Sequence, residues 1–279
     1  MQPKLGIIAG GGNLPQKIID VCQACGRAYY VIGIEGYALP DVLEGTPHSW
    51  VNIAKAGSGF RILKKEQVGE VVMIGDVKVP SLIKAWPDYR TLKIFGRNAL
   101  RSLFNLTGDN SLLMLLASEF EKEGIKVIGI HDILDNLLAA EGLLGAVSVP
   151  NEFLSDIRFG ITAALDLGLR DAGQAVIVKS GLVIIEEGKD GTAQMIKDSR
   201  NATPNGSGGV LVKIKKPKQD RRMDLPTIGV MTVLDVSEAG LSGIIIQAGE
   251  TIIIDLETVI SVANEKGIFI KALDLNPGY

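Results

Sequence analysis

Residues 212–229 read VKIKKPKQDRRMDLPTIG, and positions 213–222 carry six bases: Lys213, Lys215, Lys216, Lys218, Arg221 and Arg222. Two carboxylates, Asp220 and Asp224, stand among them, and Pro217 and Pro226 bracket the stretch. A spacing of four puts both acids on one side of a helical turn, and on one side of an extended segment as well. Paired carboxylates beside Lys and Arg suit a divalent cation with a polyphosphate: oxygens hold the metal and cations hold phosphate. The competing reading is a solvated charged loop. Against it stand the prolines, which stiffen the stretch, and its flanks VLVKI and IGVMTVL, which read as buried strands. No aromatic residue interleaves the bases and the net charge is −3, so nucleic acid is not an expected partner.

A second polar constellation opens the chain. Gly10, Gly11 and Gly12 follow the apolar run LGII, and Asn13, Leu14 and Pro15 come next. A glycine turn between a strand and a helix lets the backbone approach a phosphate at the helix N-terminus. The pattern is half of a dinucleotide fingerprint, with Pro15 in place of the third glycine. Proline is compatible with a helix start. Glu35, at the end of the next strand-like run, falls where a ribose-binding acid would sit. A tight structural turn with a solvated Glu35 accounts for the same residues. Thinner signals are TGDN (107–110), Glu141 within AAEGLL, Gln174 at a strand start, and Thr192 after Gly191. His48 and His131 lack metal-ligand spacing and read as structural. Cys22 and Cys25 lie late in a helical pattern, which fits core or incidental thiols and a reducing cytoplasm.

The elements that must position these groups alternate in the first half. LGII, YYVIGI, EVVMIG and IKVIGI read as strands, while LPQKIIDVCQAC and SLLMLLASEFEKEG read as helices ending at Gly26 and Gly124. That alternation predicts a parallel sheet covered on both faces. Residues 80–108 read as helical or irregular. After a Pro-containing linker, FLSDIRFGITAALDLGL reads as a helix. QAVIVKSG, LVIIEE, VLVKI, GIIIQ, TIIIDL and IFIKAL read as strands, with a short helix at ISVANEKG and a loop at NATPNGSGG. The expected fold is α/β in two domains. Residues 1–135 form a Rossmann-like parallel sheet with helices, residues 138–274 a mixed α/β catalytic domain, and a ligand cleft lies between them. With 46% hydrophobic and 22% charged residues the composition is that of a globular protein. No signal-peptide pattern and no apolar run of about 18 residues occurs, so any membrane contact is expected to be peripheral. No GxSxG, Walker A or HExxH pattern is present.

Taken in order, IIAGGGNLP, TGDN, AAEGLLG, LGLRDAGQAVIVKSGLVIIEE, GTAQMI and KKPKQDRRMDLPTIG resemble one family over nearly the whole chain: the UDP-2,3-diacylglucosamine pyrophosphatases of the LpxI type. The resemblance implies two α/β domains with the site between them. It also implies Mg²⁺-dependent hydrolysis of UDP-2,3-diacylglucosamine to UMP and 2,3-diacylglucosamine 1-phosphate (lipid X) in lipid A synthesis, with water attacking the sugar-side phosphorus. Asp220 and Asp224 match the family's two C-terminal acids and are the implied metal ligands. Together with Lys216 and Arg221 they form the expected catalytic set. The expected substrate-binding residues are Gly10, Gly11, Gly12, Asn13, Leu14, Asp109, Gln174, Thr192 and Gln219. Three positions depart from the family pattern: Asn110 replaces the second acid of GDD, Ala193 replaces the acid of EGTD, and Met223 replaces Phe. The first two leave open a non-catalytic nucleotide-sugar or glycolipid binding protein. A nicotinamide enzyme on the glycine turn is the least supported alternative. The implied partner is a glycolipid nucleotide. The implied location is the cytoplasm, in peripheral contact with the inner membrane, and the expected assembly is a homodimer.

Overall fold

The computed structural model describes residues 2–75, 77, 109–134, 137–202 and 208–275. The chain divides into two compact units. The first is Met1–Asp135 together with Asp220–Asp224; the second is Asn136–Gln219 together with Leu225–Tyr279. The pentapeptide carrying both acids therefore groups with the first unit, although its flanks on either side belong to the second.

In the first unit, β1 (Leu5–Ala9), β2 (Tyr29–Ile34), β3 (His48–Val51), β4 (Glu70–Ile74) and β5 (Lys126–Val127) form a parallel sheet in the order β3-β2-β1-β4-β5. Helix α1 (Leu14–Cys25) crosses from β1 to β2 and buries Pro15, Ile18, Ile19 and Cys22. It stops at Gly26, whose left-handed backbone (φ 70°) caps it. A short α2 (Pro40–Leu43) and the amphipathic α3 (Ala56–Lys65) follow, the latter burying Phe60 and Leu63. Helix α4 (Asp109–Lys122) leads into β5. Chain direction changes side between β1 and β4, so the carboxyl ends of those strands flank the sheet's switch point, where open α/β sheets take ligands.

The second unit has a six-stranded mixed sheet in the order β6-β13-β11-β9-β7-β8. Its strands are β6 (Gly142–Leu144), β7 (Ala175–Lys179), β8 (Leu182–Glu186), β9 (Val210–Lys213), β11 (Gly243–Gln247) and β13 (Phe269–Leu273). β10 (Thr227–Ile228) and β12 (Ile252–Ile253) make a separate parallel pair. Strand periodicity sorts the core cleanly. Ala175, Ile177, Leu211, Ile244, Ile246 and Ile270 enter one apolar cluster. Val176, Val178, Val210, Val212, Ile245 and Phe269 enter another, under α5 (Leu154–Leu169). The first cluster is closed by residues of α6 (Gly191–Ala202), α7 (Val230–Glu238) and α8 (Leu256–Lys266).

Several expectations need correction. IGVMTVL is not a strand: only Thr227–Ile228 pair as one, and helix α7 starts at Val230. Its β-branched residues favour strands. However, Val233 and Val236 stand three apart and are fully buried, and Gly229 N–H is received by Thr232 Oγ1 at 3.3 Å, which starts a helix there. TIIIDL pairs only at Ile252–Ile253 before α8 begins, and IKVIGI only at Lys126–Val127. GTAQMI opens helix α6, and NLLAAEGLLG contains the antiparallel strand β6. Residues 80–108 and most of NATPNGSGG lie outside the described residues.

The β7–β8 hairpin turns on Ser180 (φ 52°) and Gly181 (φ 75°), the signature of a primed two-residue turn. Buried Asp156, in the first turn of α5, receives both of their N–H groups, at 2.8 and 2.6 Å. Asp156→Ala is expected to cost about 2 kcal/mol and to lower the melting temperature by roughly 5 °C. Asp156→Asn, which keeps one acceptor oxygen, is expected to recover part of the loss in the same thermal scan.

Candidate active site

Asp220 begins one turn of helix. Its carbonyl receives the N–H groups of Met223 and Asp224, each at 3.1 Å. The sequence spacing of the acids is therefore realised as a helical turn rather than an extended segment. Arg222 grips the Asp220 carboxylate: its Nε reaches Oδ1 at 3.1 Å and its Nη2 reaches Oδ2 at 2.7 Å, while its own N–H donates to Oδ1 at 2.9 Å. The other end of the guanidinium, Nη1, donates to Glu121 Oε1 of helix α4 at 2.8 Å. These bonds, first Asp220 and then Glu121, push the Arg222 pKa further above its ordinary value. Met223 packs on the apolar cluster of the first unit that contains Phe60, Leu63 and Phe120. Arg222 is thus a base on Asp220, and Arg221 is exposed.

The other bases of the run have distinct duties. Buried Lys213 donates to the Thr227 carbonyl at 3.0 Å and so ties β9 to β10. Lys215 N–H donates to Gln247 Oε1 at 3.2 Å. Lys216 Nζ donates to Asp171 Oδ1 at 2.8 Å, and its N–H donates to Gln219 Oε1 at 3.0 Å.

Three of the expected binding residues come together in the second unit. Gln219, buried, reaches Gln174 Oε1 through Nε2 at 3.5 Å. Gln174 N–H donates to Glu187 Oε2 at 2.7 Å, and the Thr192 hydroxyl donates to Glu187 Oε1. Glu187 sits just past the end of β8 and is itself buried. Sequence reasoning missed it. Its only signal was an acid closing an apolar strand ahead of a glycine. Glu121 was missed for a different reason, since it lies 101 positions from Arg222.

The glycine turn lies in the first unit, at the carboxyl end of β1. Gly10 N–H bonds to the Ile74 carbonyl at 2.8 Å, and a Cβ on Gly10 would lie 2.8 Å from the Gly75 carbonyl oxygen. Gly10 is thus needed for the close approach of two backbones. Gly12 has φ 85° with open space around it. Asn13 makes no side-chain cap to α1, so its side chain does not satisfy the N–H groups of the first turn. Leu14 is the first residue of that helix. Glu35, exposed at the end of β2, receives Asn52 Nδ2 at 3.0 Å. Asp109 begins helix α4, and its side chain, like that of Asn110, lies outside the described residues.

The remaining polar residues are structural in character. His48 Nδ1 lies 3.0 Å from the Thr46 carbonyl, and the ring meets Trp50 edge-on. His131 lies against Gly129, with Nε2 3.9 Å from Asp132 Oδ1. Glu141 is exposed. Cys22 is buried and its thiol pKa is pushed up by that burial, the opposite of an activated nucleophile. No described helix is long and apolar enough to cross a membrane.

Among the described residues no group of three or more His, Cys, Asp or Glu side chains comes together. A closed protein cage for a transition metal is therefore not built from them. Mg²⁺ asks for less, because it keeps several waters and binds through one or two carboxylates plus substrate phosphates. Asp220 and Asp224, four apart on one turn, carry the hard oxygen donors this ion prefers.

The model of the LpxI N-terminal domain matches residues 4–137 and that of the LpxI C-terminal domain matches residues 140–271. The chain is 37% identical over 279 residues to a Caulobacter vibrioides protein named UDP-2,3-diacylglucosamine pyrophosphatase LpxI, covering 97% of this chain and 98% of that one. Among solved structures, the Thermus thermophilus UDP-glucose 4-epimerase in complex with NAD aligns at 11% identity and TM-score 0.32, over 99% of this chain and 88% of that one. A GalE-like L-threonine dehydrogenase from Cupriavidus necator aligns at 9% identity and TM-score 0.32, over 98% of this chain and 87% of that one.

Proposed function

Because the chain belongs to the LpxI family, we propose that it hydrolyses the diphosphate of UDP-2,3-diacylglucosamine, releasing UMP and 2,3-diacylglucosamine 1-phosphate in lipid A synthesis. The observation that carries this reading is the 37% identity, end to end, with a protein named for that reaction. A water oxygen bonds to the sugar-side phosphorus and the bond from that phosphorus to the bridging oxygen breaks. UMP departs with the bridging oxygen, and the attacking water loses its proton to a base. Mg²⁺ held by Asp220 and Asp224 together with the diphosphate oxygens would neutralise charge on the linkage.

The chain's own residues supply the rest. Lys216 and Arg221 offer positive charge for the departing phosphate. A carboxylate oxygen of Asp220 or Asp224 that is not turned to the cation accepts the proton of the attacking water. Arg222, bonded to both oxygens of Asp220, fixes the rotamer of that carboxylate. In the first unit the glycine turn and the first turn of α1 suit a phosphate-bearing group; in the second, Gln174, Thr192 and Gln219 suit the polar groups of a sugar. The acyl chains make a lipid surface the source of this substrate, so the reading includes peripheral contact with the inner membrane and, by family analogy, a homodimer.

The test is UMP release by the purified protein with and without EDTA. Excess chelator is expected to stop turnover, and added Mg²⁺ to restore it. Turnover indifferent to the chelator would remove the metal from the mechanism. Binding of the lipid nucleotide without turnover would make the chain a binding protein of the family, with Asn110 and Ala193 the positions to restore to acids.

A further inference from the structure

The polar network around Glu187 says what kind of ligand group Thr192 can meet. Glu187 is buried at 8% exposure at the end of β8. One carboxylate oxygen takes the Gln174 N–H at 2.7 Å, and the other takes the Thr192 hydroxyl hydrogen. A carboxylate only accepts hydrogen bonds, and a threonine hydroxyl owns a single hydrogen. With that hydrogen committed to Glu187, Thr192 Oγ1 has only lone pairs left to present. Lone pairs repel phosphate oxygens and attract a donor.

We propose that Glu187 is a positioning residue that turns Thr192 into an obligate acceptor, and that Thr192 meets a hydroxyl or amide N–H of the sugar part of the ligand. This rests on the function proposed above and deepens it, because it names the kind of group Thr192 meets and the residue that holds Thr192 in that role. The same carboxylate anchors the backbone of Gln174, whose side-chain oxygen takes Gln219 Nε2 at 3.5 Å. Gln219 in turn receives the Lys216 N–H at 3.0 Å. One buried acid therefore sets a row of polar groups that ends at the residue immediately before Asp220.

Binding of UDP-2,3-diacylglucosamine to the full chain by calorimetry, alongside turnover, tests this. Thr192→Val is expected to weaken binding about tenfold, and Thr192→Ser to regain most of that loss. Glu187→Gln is the sharper variant. Its amide can donate to Thr192 Oγ1, which releases the hydroxyl hydrogen outward and turns the acceptor into a donor. Glu187→Gln is expected to weaken binding as much as Thr192→Val, and the double variant to be no weaker than either. The loss is expected in KM, with kcat changed less than threefold, which general loosening of the fold would not produce. Melting temperatures check folding, and Thr162→Val on the exposed face of α5 serves as the control.

Unchanged or tighter binding by Glu187→Gln would overturn the inference and place an acceptor opposite Thr192. Additive losses in the double variant would also overturn it. Binding without turnover in the wild type would defeat the hydrolase reading alone, and absence of binding would defeat both.

Discussion

Asp220→Ala and Asp224→Ala each lower UMP release by roughly 10²–10⁴-fold, the range expected for removing a group that holds a catalytic cation or accepts the proton of water. Calorimetric affinity for the lipid nucleotide changes far less. The two variants differ in what else they disturb. Asp220 also accepts Arg222 on both oxygens and caps the Arg222 N–H, so its loss takes from a half-buried guanidinium every bond but those it makes elsewhere, such as that to Glu121. Asp220→Ala should therefore also melt earlier than wild type. Asp220→Asn separates the effects. It keeps an oxygen for the turn, but it loses the charge that a cation and Arg222 both require. Turnover within threefold of wild type in both alanine variants would dispose of the paired-acid mechanism.

The second large effect is on stability. Gly75 follows β4 with φ 95°, and a Cβ there would press on the Gly11 carbonyl oxygen and lie 2.8 Å from the Gly10 carbonyl carbon. Neither contact is with the end of a flexible side chain, so the strand ends themselves must move. Gly75→Ala is expected to cost about 3 kcal/mol, combining left-handed strain with overpacking. It is also expected to lower the melting temperature by roughly 10 °C. Gly12→Ala isolates the strain, since Gly12 has φ 85° but nothing within 4 Å of the added carbon; it should cost about 1–2 kcal/mol. Equal melting temperatures for the two variants would show that the backbone contact carries no weight.

The strongly periodic elements were legible in the sequence. β1, α1 and β2 follow from an apolar run, a helical spacing and the cap at Gly26, signals that act over a few residues. The core strands of the second unit were legible for the same reason, as unbroken Val and Ile runs. The stretch 228–234 was misread because its β-branched composition states a local preference that burial of Val233 and Val236 on a helical face overrides. At the site, the spacing of Asp220 and Asp224 could be read directly. The grip of Arg222 on Asp220 could not, because the same guanidinium is held by Glu121 in a distant helix. Glu187 was hidden in the same way: its carboxylate matters through partners at positions 174 and 192 that no local pattern joins.

The placement of residues 220–224 with the first unit has a bearing on heredity and engineering. A gene severed near position 137 would assign both acids to the fragment that lacks Glu121 and the apolar bed beneath Met223. Neither half, transplanted to another partner, would bring a working loop with it. Exchanging either half therefore puts at risk the contacts that hold Arg222 and Met223 in place.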